Sequence, residues 1–228
     1  MKKTVLAPLD YVIIKSAFFV YQKTERKKDE RREEGRKSMK QPLILASASP
    51  RRRELMVYTG LPFEVICAGA EEIKTGEPDV LVMENARRKA RAVAALHPGR
   101  MVLAADTVVY QDGRVLGKPR DEQDARDMLR RLSGNTHTVY TGVCVIDGKT
   151  GKKQTQTDST EVHFLPIDDA SAWRYIRSGE PMDKAGAYAV QGRAGMFVRS
   201  ISGSYSNVIG LPMAMVREIL KAAGADIP

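Results

Sequence analysis

A wholly apolar run, Leu43-Ile44-Leu45-Ala46, passes directly into Ser47-Ala48-Ser49-Pro50 and then into a helix-forming stretch. No other feature constrains the fold as tightly. Four consecutive apolar residues leave no face for water, so as a strand they must be covered on both sides, which calls for a sheet with helices packed on it. The run at 101–105 (MVLAA) has the same character. Between them, residues 78–96 (PDVLVMENARRKARAVAAL) carry apolar positions at helical spacing and stop at His97-Pro98-Gly99.

The remaining pattern is mixed. A helix is expected over 51–60, with Ser49 as its N-cap and Pro50 at its first position. A strand is expected over 63–67, a turn at Asp112-Gly113 and a helix over 121–132 that exits at Ser133-Gly134. Alternating segments at 136–146 and 154–164 read as a long antiparallel hairpin. A helix over 168–178, extended segments at 186–190 and 196–201, and a closing helix over 212–223 complete the body. Helices interleaved with both buried strands and hairpins predict an α/β domain built on a mixed sheet, spanning 40–228 as one unit.

Residues 1–39 stand apart. An apolar stretch at 12–21 is interrupted by Lys15, and of the 16 residues that follow, 22–37, 13 are charged with both signs. This is neither a cleavable leader nor a span of the ~20 apolar residues a membrane helix needs. A solvated, disordered or partly helical extension is expected, with Met39 as an alternative start of the chain. The extension also explains much of the net charge of +9: it holds 11 Lys or Arg against 6 Asp or Glu, whereas the other 189 residues hold 26 against 22. A body so nearly balanced argues against a nucleic-acid groove and suits a small anionic ligand. The two cysteines, Cys67 and Cys144, have no paired spacing, which excludes a disulfide framework and points to a reducing, cytoplasmic setting.

Three segments carry candidate chemistry. In SASPRRREL (47–55), a strand enters a helix whose free N–H groups form an anion site, and three arginines in the first turn oppose the helix dipole unless a negative ligand offsets them. In AADT (104–107), an apolar strand ends in Asp106-Thr107, which places a carboxylate at a strand's end, where it can hold a divalent cation or take a proton from water. Lys89 in the long helix and Lys118 in VLGKPRD add cations at element ends. In DKAGAYAVQGRAG (183–195), glycines permit close approach, and Tyr188 and Gln191 offer groups that read a base edge. His97, His137 and His163 have no partner pattern, and structural roles are assigned to them.

Together, SASPRRREL, AADTVV, LGKPRDEQDARDMLRRLSGNTHTVYTGV, DKAGAYAVQG and GSYSNVIGLPM resemble the Maf family of nucleoside triphosphate pyrophosphatases, in that family's order and over nearly the whole body. The resemblance implies a curved mixed sheet, related to that of the inosine triphosphatases, with a substrate cleft between two lobes. It implies hydrolysis of a nucleoside triphosphate to the monophosphate and pyrophosphate, assisted by a divalent cation such as Mg or Mn, and a homodimer. Asp106 matches the catalytic proton acceptor, with metal binding left open for it. Ser47, Arg51 and Arg52 match the phosphate-contacting turn, and Lys89 and Lys118 the family's lysines. Glu72 falls at a further acidic site position, as a metal ligand. Arg51, Thr107 and Gln191 occupy the positions associated with pyrimidine preference, so dTTP and UTP are the expected substrates. The alternatives are 7-methyl-GTP or another modified nucleotide, and a non-catalytic nucleotide sensor linked to cell division.

Overall fold

A computed structural model describes residues 41–227; the extension expected over 1–39, with its alternative start, lies outside the described residues. Seven strands form one mixed sheet in the order β2-β1-β3-β5-β6-β7, with β4 paired to β3 off this path. The strands are β1 (Leu43–Leu45), β2 (Phe63–Val65), β3 (Met101–Gln111), β4 (Arg114–Leu116), β5 (Thr136–Asp147), β6 (Lys153–Phe164) and β7 (Val198–Ser202). β1 runs parallel to β2 and β3; the other pairings are antiparallel. The helices are α1 (Pro50–Val57), α2 (Pro78–Leu96), α3 (Glu122–Leu132), α4 (Asp169–Ile176), α5 (Tyr205–Ile209) and α6 (Met213–Ala222). None of the described helices is long and apolar enough to cross a membrane.

The apolar runs behave as their composition demands. Leu43 and Leu45 join Leu103 and Ala105 in a core with Leu55 and Met56 of α1 and Val216, Ile219 and Leu220 of α6. Their neighbours Ile44, Ala46, Val102 and Ala104 face the other way, onto Ala86, Ala90 and Val93 of α2. Alternation along a strand thus divides the same residues between two layers of helices. A third core, at the far end of β3 and β5, holds Val109 and Val139 with Leu129 and Leu132 of α3 and Tyr175 and Ile176 of α4.

Several elements differ from the sequence expectation. β3 continues six residues beyond Ala105, so Asp106 lies inside the strand rather than at its end, because Asp106 to Tyr110 keep pairing with β5 while β4 folds back on the same strand. Its hairpin turn at Asp112 and Gly113 has positive φ at both positions, as a two-residue turn of the strand-compatible hand requires. The segment expected as extended over 186–190 begins instead with a 3-10 turn, Ala185–Ala187, and another, Arg193–Phe197, precedes β7. Ser49 occupies the N-cap of α1 but makes no side-chain cap; its N–H donates to Ser47 Oγ instead.

One property of the sheet decides where a ligand can enter. β5 covers one edge of β3 from Met101 to Tyr110, whereas the opposite edge is covered by β1 only at Val102 and Leu103 and by β4 only from Val109. Between them, residues 104–108 have no strand partner on that side among the described residues. Asp106 sits in the middle of this gap.

Candidate active site

A cavity of about 930 Å³ opens at the gap and reaches both faces of the sheet. Ser47, Arg51, Arg52, Glu72, Lys89, Asp106, Thr107 and Lys118 all line it. Eight of the nine site residues that the resemblance assigns are therefore brought together, from α1, α2, β3 and three loops. The ninth, Gln191, is exposed and lies one residue beyond Val190, which does line the wall.

Asp106 is 8% exposed and points to the α2 side of the sheet. Both carboxylate oxygens are engaged: Lys89 Nζ donates to Oδ1 at 2.7 Å and Asn85 Nδ2 to Oδ2 at 3.0 Å. Lys89 and Asn85 lie four residues apart on α2, hence on one helix face. The same ammonium reaches Glu72 Oε1 at 2.8 Å, so one lysine bridges two carboxylates.

Asn85 was missed in the sequence. It is 2% exposed, and besides meeting Asp106 it accepts from Ile73 N–H (2.9 Å) and donates to Ile73 O (3.0 Å). One amide therefore ties the loop carrying Glu72 to the strand carrying Asp106. The available signal was a polar residue in the stripe Leu81, Asn85, Lys89, Val93, where an apolar one is the rule for a helix lying on a sheet.

The two arginines of the first turn of α1 differ in their surroundings. Arg51 makes no hydrogen bond or ion pair with a described residue. Burial lowers its pKa, while Asp183, Tyr175, Glu54 and Glu180 act in the opposite sense. It remains a charged donor with free N–H groups facing the cavity. Lys118, exposed on the loop after β4, likewise has no partner among the described residues. Arg52 instead turns its guanidinium into the protein, onto Gly210 O, Ser47 Oγ, Ala105 O and Thr107 Oγ1.

The DKAGAY segment forms the opposite wall. Gly186 N–H donates to Gly117 O, which holds the segment beside the loop carrying Lys118. Gly186 has φ +66°, and a Cβ there would come within 2.8 Å of Val109, so the close approach to β3 requires glycine. Tyr175 donates to Glu180 Oε1 (3.0 Å) and accepts from Ala189 N–H, fixing the next residues of the wall. Tyr188 is anchored through its hydroxyl to His137 Nε2 at 2.8 Å, and both rings pack edge-on against Phe164.

That anchor predicts a pH effect. His137 is 2% exposed, and burial, helped by the charge of His163, pulls its pKa from 6.5 to about 4. Because the unfolded chain binds the proton more readily, stability is full above pH 6.5 and is lost as pH falls toward 4. A shift of this size corresponds to about 3 kcal/mol. Tm measured between pH 7 and 4 is expected to fall less steeply in His137→Gln than in the wild type; equal slopes would contradict the assignment.

The chain is similar to known proteins over nearly all of its described residues. Residues 42–223 match the family model described as "Maf-like protein". Proteins named dTTP/UTP pyrophosphatase are similar throughout the body. That of Pelotomaculum thermopropionicum is 48% identical over 187 residues, covering 81% of this chain and 98% of its own. That of Thermococcus gammatolerans is 52% identical over 174 residues, covering 76% and 92%. That of Deinococcus radiodurans is 46% identical over 185 residues, covering 81% and 94%. Among solved structures, a HAM1 protein from Coxiella burnetii aligns with TM-score 0.44 and 15% identity, covering 80% of this chain and 98% of that one. With a family model matching most of its length and relatives near half-identical across the body, the chain belongs to the Maf-like protein family.

Proposed function

We propose that this protein hydrolyses dTTP and UTP to the nucleoside monophosphate and pyrophosphate. The observation that carries the reading is Asp106, held between Lys89 and Asn85 at the unpaired edge of β3, in a cavity lined also by Arg51 and Lys118, cations with no ion-pair partner among the described residues. The names of the relatives supply the substrate class. Arg51, Lys118 and Lys89 bind the triphosphate oxygens and neutralise their charge. Asp106 orients a water toward the α-phosphorus and accepts its proton as the new P–O bond forms. The bond from the α-phosphorus to the bridging oxygen breaks, and pyrophosphate leaves with that oxygen. Positioning and fixed charge supply most of the rate, as in phosphoryl transfer generally.

The residues present fit a divalent cation of the magnesium kind. No group of three or more His, Cys, Asp or Glu among the described residues could hold an ion. Two carboxylates, Asp106 and Glu72, do converge on the Lys89 ammonium. Magnesium is commonly held by one or two carboxylates together with substrate phosphates, rather than by a full protein cage. Bound there, the cation would supply further charge neutralisation to the triphosphate.

On the base side, Arg51 has donors to offer a pyrimidine oxygen. The hydroxyl of Thr107 is already engaged by Arg52 and by Thr141 at 2.9 Å, which leaves its methyl group for contact. Gln191 contributes its amide from the rim. The test is a substrate panel of dTTP, UTP, CTP, GTP and 7-methyl-GTP, read by pyrophosphate release with EDTA and with Mg or Mn restored. Activity is expected on dTTP and UTP, at least about tenfold above the others, and lost in EDTA. A preference for 7-methyl-GTP, or tight nucleotide binding without product, would overturn the reading.

A further inference from the structure

Adjacent arginines in one helical turn invite the same assignment, yet their surroundings separate them. Arg52 donates from Nε to Gly210 O (2.7 Å), from Nη1 to Ser47 Oγ (3.1 Å) and Ala105 O (2.9 Å), and from Nη2 to Thr107 Oγ1 (2.8 Å). Four of its five N–H groups are thus committed within the protein, none to a carboxylate. Two of the acceptors belong to Ala105 and Thr107, the residues on either side of Asp106. We propose that Arg52 is a positioning residue, clamping the unpaired edge of β3 on both flanks of Asp106, rather than a ligand of the triphosphate. This rests on the role given to Asp106 above.

The physical need is plain from the sheet. Where β1 ends and β4 has not begun, the Ala105 carbonyl lacks the strand N–H that would normally satisfy it. Arg52 supplies that donor from a side chain, so the edge stays satisfied while remaining open to a ligand. The clamp is itself braced. Thr107 Oγ1 also meets Thr141 Oγ1, which donates to Asn207 O (3.1 Å), and Asn207 Nδ2 donates to Val139 O and Thr160 Oγ1, both at 2.9 Å. Gly210, at φ +118°, completes it: a Cβ there would lie 3.3 Å from Thr107 Oγ1 and 3.5 Å from Arg52 Nε. The segment 210–212 before α6 thereby becomes part of what aims Asp106, although it contributes no side chain to the reaction.

A carboxylate that must meet a water in line with a phosphorus atom loses rate when its strand shifts by a fraction of an ångström, whereas a phosphate ligand loses affinity. Arg52→Lys and Arg51→Lys, compared on dTTP, separate the two. For Arg52→Lys, kcat is expected to fall about 100-fold while KM, and the Kd of the non-hydrolysable α,β-imido analogue of dTTP, stay within about threefold of wild type. For Arg51→Lys, KM and Kd should instead rise about tenfold or more. Gly210→Ala keeps both arginines and should reproduce part of the kcat loss, which guards against poor folding of the lysine variant. Hydrogen exchange gives a further readout, with amides of 104–108 exchanging faster in Arg52→Lys while β6 stays protected. A Kd for Arg52→Lys raised as far as that of Arg51→Lys, with kcat retained, overturns the clamp. A wild type that releases no pyrophosphate overturns the functional reading instead, and unchanged exchange at 104–108 then still refutes the clamp.

Discussion

Replacing Asp106 by Asn is expected to cut pyrophosphate release by at least about 100-fold, the usual contribution of a positioned proton acceptor. The substitution is nearly isosteric, so the cavity keeps its shape, but both oxygens of Asp106 accept a donor in this structure. An amide has one accepting oxygen; its nitrogen would face either Lys89 Nζ or Asn85 Nδ2, donor against donor. One hydrogen bond is lost and one buried donor is left unmatched, a cost of about 1–3 kcal/mol. Thermal unfolding should therefore show a modest drop in Tm alongside the loss of activity. A variant that keeps wild-type turnover would remove Asp106 from the mechanism.

Gly142→Ala is the substitution with the largest expected effect on stability. Gly142 pairs with Asp106 across β3 and β5, so both residues face α2. A Cβ at 142 would lie 2.5 Å from the backbone carbon and oxygen of Val82 and 2.7 Å from the nitrogen of Met83. Helix backbone cannot rotate aside as a side chain tip would, so α2 must lift from the sheet. Overpacking of this kind costs about 1–3 kcal/mol, and a domain of this size loses about 2–4 °C of Tm per kcal/mol. The same displacement moves Asn85 and Lys89, one and two turns further along α2, away from Asp106. Tm and kcat should fall together; a variant unchanged in both would mean that α2 does not depend on this contact.

Much of this arrangement was legible in the chain itself. The apolar runs at 43–46 and 101–105 could only be strands covered on two faces, and the helix over 78–96 was delimited by Pro78 and by His97-Pro98-Gly99. Arg51, Lys89, Asp106 and Lys118 stood out because charged groups in an otherwise balanced body needed a common reason, although Lys89 and Asp106 lie inside α2 and β3 rather than at their ends. What could not be read was how far each strand's pairing extends. Nothing in AADT shows that β1 and β4 leave five residues of one edge uncovered, because that depends on how far two other strands extend. For the same reason Arg51 and Arg52 looked equivalent, although one faces the cavity and the other satisfies the edge. The 3-10 turn at Ala185–Ala187 was read as extended because Ala-Gly-Ala has no pattern to betray contact with Val109.

The most direct test of the central claim is hydrolysis of dTTP by the purified protein in ¹⁸O-labelled water. Attack on the α-phosphorus under the control of Asp106 predicts label in dTMP alone, with unlabelled pyrophosphate formed in equal amount. Label in inorganic phosphate with dTDP as co-product, label in pyrophosphate, or absence of turnover would contradict it.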